Sequence, residues 1–317
     1  MKKTERLVFC YDISVIAKPE SAKPLTVEAS IDLIRKIPKQ KRSMDEQKRK
    51  EYFYVSDIKQ DNDIYCILLN KSDRDISNPI FTDPLQQQRR EVKKFENEGQ
   101  DFSSHIMIKL PTKETDPALM LVEYCHGFGG ITIIKKLLNH LLTQTKEENK
   151  NIFTQNHPDG SINDDGTQKK RDITFLFDIV GHISDQLKAD LEKGELRNIE
   201  LITEQSLKEN FDEYGYFEEQ KTTVTLRPNK ESLGAMVYEK IMGMISNKKS
   251  KYERAKIRFK SPEGKEHVVD VIATDTSATL YVKKNKISNF ESDLLSSYDK
   301  IYEPIFSKMK EIIGEIS

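Results

Sequence analysis

Apolar and polar residues alternate from Leu7 to Ile16, a period of two that predicts a first strand. After Pro24 the period changes. Val27, Ile31, Ile34 and Ile37 recur at helical spacing, with Thr26 placed to cap the start and Pro38 to stop the helix. Two strands, Tyr52 to Ile58 and Ile64 to Leu69, read as a hairpin turning at Asp61-Asn62-Asp63. Leu85 to Glu98 reads as a charged, exposed helix. A second hairpin pairs Ile106 to Leu110 with Ala118 to Tyr124, and His126-Gly127-Phe128-Gly129-Gly130 then leads into a helix from Ile131 to Leu142.

Between Thr143 and Lys170 the periodicity lapses, and asparagine, aspartate and glycine mark turns at Asn156 to Gly160 and Asp164 to Gly166. Residues 146–170 therefore read as a linker between an N-terminal unit, 1–145, and a C-terminal unit, 171–317. The second unit begins with a strand at Ile173 to Val180, a helix at Ser184 to Lys193 and strands at Leu196 to Thr203 and Thr222 to Arg227. A helix from near Glu231 to Ile245 follows, then Ala255 to Lys260 paired with Val268 to Ala273, and a further strand at Ala278 to Lys283. The chain closes on a long helix from about Phe290 to Ile316, kinked at Pro304. Hairpins interspersed with helices predict an α+β fold: two mixed antiparallel-sheet units with a long C-terminal helix, not a doubly wound parallel sheet.

Composition narrows the class. The 317 residues leave room for two units of ordinary size, and aliphatic runs amid 32% charged residues indicate a folded chain with a well-solvated surface. The longest apolar run, Ile131 to Leu142, falls short of the roughly 20 residues that cross a bilayer. Met1-Lys2-Lys3 is followed by Glu5 and Arg6, with no apolar signal-peptide stretch before Lys18. Cys10, Cys66 and Cys125 are odd in number and widely spaced in strand-like runs, so they read as reduced core thiols and suggest neither disulfides nor zinc. A cytoplasmic protein without membrane insertion and without a cofactor is expected.

The net charge of -1 conceals asymmetry. Lys248 to Lys260 holds seven basic residues and one acid, whereas Ala189 to Glu219 holds ten acids and three bases. Read as a strand, Arg254 to Lys260 places Arg254, Lys256, Arg258 and Lys260 on one face and Ala255, Ile257 and Phe259 on the other. Four aligned cations, about 6.5 Å apart, repel one another unless an anion neutralises them. A nucleic-acid phosphate track is one such anion, and pairing with a neighbouring acidic strand is another. Lys248, Lys249, Lys251, Lys283, Lys284 and Lys286 join the same region if the strands fold as a meander. A second basic stretch, Arg35 to Lys50, carries eight cations and reads as a loop able to close over the same ligand.

Other candidates are weaker. The glycine-rich turn at 127–130 could present helix amides to a phosphate, but it lacks P-loop residues and dinucleotide spacing. Cys125 and His126, adjacent on a strand, point to opposite faces and make no catalytic pair. His157, Asp159, Asp164 and Asp165 do not follow a calcium-loop order, and His105, His140, His182 and His267 are isolated. Asp178, Asp270 and Asp275 are the carboxylates that a metal-dependent nuclease or phosphodiesterase would use. The acidic segment Glu209 to Gln220, with Phe211, Tyr214, Tyr216 and Phe217, is the docking strip of an alternative adaptor function.

The order of segments resembles the RexA type of phage-exclusion protein from lambdoid prophages. The resemblance is carried by the hairpin Tyr52 to Ile58 with Ile64 to Leu69, the strand and helix over Ala118 to Leu142, the strand and helix over Thr222 to Lys240, and the C-terminal segment Tyr302 to Ile316. It implies a cytoplasmic antiviral homodimer that binds double-stranded DNA with little sequence preference, by a surface related to that of ring-forming RdgC proteins, with a membrane or effector protein as further partner. The family supplies no catalytic motif, and the longer linker and acidic insert of this chain depart from its pattern.

Overall fold

The chain divides into two compact units, Met1–Ile179 with Asn285–Ser317, and Val180–Lys284. The computed structural model describes residues 2–46, 50–114, 116–163, 165–182, 185–203, 222–229, 236–248, 252, 254–270 and 282–316. In chain order the elements are β1 (Glu5–Lys18), α1 (Val27–Lys36), a 3₁₀ turn (Lys39–Lys41), β2 (Ser43–Glu46), β3 (Glu51–Asp61), β4 (Ile64–Asp73), β5 (Ile80–Asp83), β6 (Gln88–Glu91), β7 (Gln100–Lys109), β8 (Ala118–Glu123) and α2 (Ile131–Gln144). There follow β9 (Thr154–Asn156), β10 (Lys170–Asp172), β11 (Thr174–Gly181), α3 (Asp185–Lys193), β12 (Glu195–Thr203), β13 (Thr222–Leu226), α4 (Val237–Lys248), β14 (Arg254–Lys260), β15 (Glu266–Asp270), β16 (Lys284–Ser288) and α5 (Glu303–Ile316). The fold is α+β, built on antiparallel sheets.

The first unit centres on a sheet in the order β11-β1-β8-β7-β4-β3-β2, with β16 also paired to β1. Strand β4 is buried along nearly its whole length because both faces are covered. Ile64 and Cys66 join Val8, Cys10, Met107 and Leu121 beneath Ile305, Phe306, Met309, Ile312 and Ile313 of α5. Each such side chain contributes roughly 1.5–3 kcal/mol on burial. Tyr65, of opposite parity, donates its hydroxyl to Asp32 of α1 at 3.1 Å. A continuous apolar run from Ile64 to Leu69 is what a strand covered on both faces requires. In β1 the buried positions change parity, from Arg6, Val8 and Cys10 to Tyr11, Ile13, Val15 and Ala17. The first set includes residues covered by α5, and α1 packs on the same strand and on α2. Thr26 caps α1 as its sequence predicts, its Oγ1 accepting from the Ala29 amide at 3.1 Å.

Three expectations are corrected here, the first being the C-terminal unit 171–317, since 171–179 and the C-terminal helix belong to the first unit. Residues 146–170 lie inside the first unit. The turn residues build a polar hairpin, β9 paired with β10, in which Asp159 accepts from the Ser161 amide and Asp165 from the Thr167 amide. Turn chemistry marks a solvated hairpin as readily as a linker. Residues 85–98 contain strand β6 and turns where a helix was expected, because Asp83 caps the Leu85 and Gln86 amides and closes a turn back onto β5.

The C-terminal helix starts at Glu303, with Pro304 in its first turn, where a missing amide costs nothing. The preceding residues form an irregular strap. Phe290, Leu294, Tyr298 and Ile301 pack on the core at intervals that imitate a helix. Their backbone is held by sheet side chains: Ser103 Oγ accepts from the Tyr298 amide at 3.1 Å, Asp57 from Ile301 at 3.2 Å and His105 Nε2 from Tyr302 at 3.0 Å.

The second unit holds a four-stranded antiparallel sheet, β13-β12-β14-β15. Leu196, Ile199, Leu201, Ala255, Ile257, Phe259 and Val269 pack with Leu187 and Leu191 of α3 and Ile241 and Ile245 of α4. The expected start of a helix near Glu231, and all but the end of the strand expected at 278–283, lie outside the described residues.

Candidate nucleic-acid interface

Strand β14 alternates as its sequence dictates. Ala255, Ile257 and Phe259 are fully buried, while Lys256, Arg258 and Lys260 are half-exposed on the opposite face. The sheet register supplies what the strand alone could not show. Lys256 stands between Glu200 and Asp270, Lys260 between Glu195 and Glu266, and Arg258 between Asn198 and Val268. The Arg258 Nε also donates to Glu200 Oε1 at 3.0 Å. Directly opposed residues of antiparallel strands bring their Cβ atoms within about 5 Å, so Glu195, Glu200 and Glu266 set negative charge beside the row. Glu200 is paired with Arg258, and Glu195 and Glu266 are shared with Arg197 at 3.1 and 3.4 Å. The row's alignment no longer calls for an external anion.

The other residues of that expected site belong to several elements. Arg254 opens β14 opposite Ile202, and Lys248 is the last residue of α4. Lys249 and Lys251 lie outside the described residues. The Lys283 amide donates to His182 O at 2.8 Å, Lys284 begins β16 and is exposed, and Lys286 is paired with Glu5.

The second basic stretch is a built turn. Arg42 staples it, donating Nε to Ile37 O at 2.7 Å and Nη2 to Arg35 O at 2.5 Å, and burial lowers the pKa of its guanidinium. Arg35 lies 3.5 Å from Asp32, and Lys50 3.3 Å from Asp75. Lys36, Lys39 and Lys41 remain, all exposed and, among the described residues, without a carboxylate at ion-pair distance. The Lys41 amide closes the 3₁₀ turn on Pro38 O at 2.8 Å. Lys36 and Lys41 line an open cavity of 660 Å³, with His140, Glu147 and Glu148 also on its walls, and Lys39 lines another of 390 Å³. Lys48 and Arg49 are outside the described residues.

The remaining candidates have structural roles. His105 is buried, its Nδ1 2.6 Å from Glu123 Oε2, while its Nε2 accepts from the Tyr302 amide. That pair of bonds requires the tautomer with its proton on Nδ1 and leaves neither nitrogen for a substrate. Glu123 also takes Arg6 Nε at 2.9 Å, and Arg6 Nη2 reaches Leu295 O at 2.7 Å. Removing either charge would strand the other in the core, at about 3–5 kcal/mol. In the glycine turn, a side chain at Gly127 would strike the Phe102 ring at 2.2 Å, and Gly129 has φ +117°. The glycines are thus explained by packing and backbone geometry. Cys125 is buried, and burial raises the pKa of its thiol. The Ser161 amide, with His157, holds the Asp159 carboxyl at about 2.

Asp178 belongs to the first unit, 3.2 Å from Lys135, whereas Asp270 belongs to the second and Asp275 lies outside the described residues. Among the described residues no group of three or more His, Cys, Asp or Glu side chains is arranged to hold a metal ion. The acidic segment 209–220 is also outside them. No helix among the described residues is long and apolar enough to cross a membrane. Comparison with protein-family models, with curated proteins and with solved structures finds no match to this chain.

Proposed function

We propose that this protein binds double-stranded nucleic acid without sequence preference, through phosphate contacts from the turn between α1 and β2. One observation carries the reading: Lys36, Lys39 and Lys41 project from a stapled turn with no carboxylate at ion-pair distance among the described residues. Unpaired lysines on a rigid backbone gain most from a polyanion, because they release its condensed counter-ions without first breaking ion pairs of their own. The resemblance to RexA-type exclusion proteins supports the wider assignment, a cytoplasmic antiviral homodimer acting with a membrane or effector protein.

The test is binding of the full chain to a labelled duplex of random sequence across a salt series. Affinity falls steeply with salt, and Lys36→Glu/Lys39→Glu/Lys41→Glu reduces it about 30-fold and flattens the logarithmic salt slope by about 2.7, the share of three phosphate contacts. A folded triple variant with wild-type affinity and slope would exclude this turn as the phosphate contact, and a wild-type chain that ignores duplex would exclude the function.

A further inference from the structure

Residues between β4 and β7 form an arm that is tied to the rest of the chain at its base, where the Arg74 amide donates to Lys50 O at 2.8 Å and Lys50 lies 3.3 Å from Asp75. Its base is fixed. The Lys94 ammonium donates to Arg74 O and Ile76 O, the Lys94 amide donates to Asn78 Oδ1 at 3.2 Å, and the Val92 amide reaches Pro79 O at 3.0 Å. From that base β5 and β6 run as a two-stranded ribbon with Ile80 opposite Glu91 and Asp83 opposite Gln88. The four-residue tip, Pro84 to Gln87, is set by Asp83 accepting from the Leu85 and Gln86 amides.

Every residue from Ile80 to Lys93 is exposed. Ile80 and Phe81 are 56% and 55% exposed, Phe95 80% and Leu85, at the tip, 94%. An isolated two-stranded hairpin is marginal in water, and clustered apolar side chains on a surface mark a place where something docks. The charges indicate what. Both carboxylates of the ribbon are used internally, Asp83 in the tip turn and Glu91 as acceptor from Asn78 Nδ2. Among the described residues Arg89 and Lys93 have no such partner, and Arg90 lies over the Phe81 ring at 5.3 Å. The arm therefore offers an apolar tip flanked by cations.

Resting on the nucleic-acid reading above, we propose that the β5–β6 arm enters the minor groove of duplex DNA, with Arg89, Arg90 and Lys93 along the phosphates and Leu85 wedged at a base step. Two-stranded ribbons read DNA from either groove, and a minor groove about 6 Å wide must open to admit one, as a wedge at a base step makes it do. Pro84 and Leu85 are residue types that part stacked bases, and the resulting kink lets the duplex meet more of the protein. A second copy of the chain would suit the apolar residues, but it would leave the unpaired cations without a role.

The test measures duplex bending by energy transfer between end labels, together with affinity, for the full chain. Wild type bends the duplex. Leu85→Ser loses most of the bend, and Arg89→Glu/Arg90→Glu/Lys93→Glu lowers affinity about tenfold. A straight bound duplex, or arm variants that bend and bind as wild type while Lys36→Glu/Lys39→Glu/Lys41→Glu binds poorly, would overturn the arm and leave the turn standing. Loss of binding in the arm variants alone would support the arm and remove the turn. Sedimentation supplies the remaining arm: variants that turn a dimer into a monomer with unchanged DNA affinity would make a second copy the occupant.

Discussion

Strand β14 and the turn at Lys36 to Lys41 are both basic in sequence, and they differ in what the fold sets beside them. Lys256 and Lys260 stand opposite Glu200, Glu195 and Glu266 across the sheet, so carboxylates flank the row, where Arg258 and Arg197 pair with them. Lys36, Lys39 and Lys41 have no carboxylate set opposite them in a sheet, and Glu147 and Glu148, like Asp101 and Asp299, only share a cavity wall with them. Density of positive charge along a chain thus says little about affinity for an anion. What matters is whether a cation must abandon a carboxylate before it meets a phosphate, because an exchange of partners gains little in water.

The largest expected effect comes from comparing the two trios in one assay. Reversal of Lys36, Lys39 and Lys41 weakens duplex binding about 30-fold, whereas Lys256→Glu/Arg258→Glu/Lys260→Glu changes it by less than about threefold. Circular dichroism confirms that both variants are folded before titration. If the β14 trio proves the more damaging, the carboxylates opposite it do not neutralise it and the comparison collapses.

An intermediate effect is expected from removing those carboxylates. Glu195→Gln/Glu200→Gln/Glu266→Gln leaves Lys256, Arg258 and Lys260 without three neighbouring carboxylates, and frees Arg197 from two of them, while preserving side-chain size. The freed row becomes the phosphate track that its sequence alone suggests, and duplex affinity rises about fivefold at low salt. Unchanged affinity in this variant would mean that the face is inaccessible to a duplex for reasons other than charge.

The same contrast explains how much of the molecule is legible from sequence. The alternation in β14, the hairpin of β3 and β4 and the Thr26 cap depend on neighbours a few residues apart, and they appear where periodicity and capping chemistry place them. Two of the carboxylates beside β14, Glu195 and Glu200, come from β12, far back in the chain, and only sheet order brings them there, whereas Glu266 lies on the adjoining hairpin strand. The strap before α5 misleads for a related reason. Its apolar residues recur at helical intervals, yet Asp57, Ser103 and His105 compete successfully for its amides. The arm is missed because a charge-rich segment reads as a solvated helix, although Asn78-Pro79 and Asp83-Pro84 already carry turn signals.

The smallest effect concerns stability. Lys260 is half-exposed and lies between Glu195 on β12 and Glu266 on β15. Lys260→Glu sets a third carboxylate beside Glu195 and Glu266, with Arg197 left to balance them, on a partly solvated surface where each cross-strand pair is worth a few tenths of a kcal/mol. The loss should be about 0.5 kcal/mol, lowering the melting temperature of a domain of this size by roughly 2–4 °C. Because the repulsion acts through solvent, raising the salt to about 1 M should recover much of it. Lys39→Glu is the matching control, since a lysine without an opposing carboxylate loses no ion pair on reversal. Equal melting temperatures for wild type, Lys39→Glu and Lys260→Glu at low salt would show that the acids opposite β14 do not hold its cations, and the row would again need an external anion to explain its alignment.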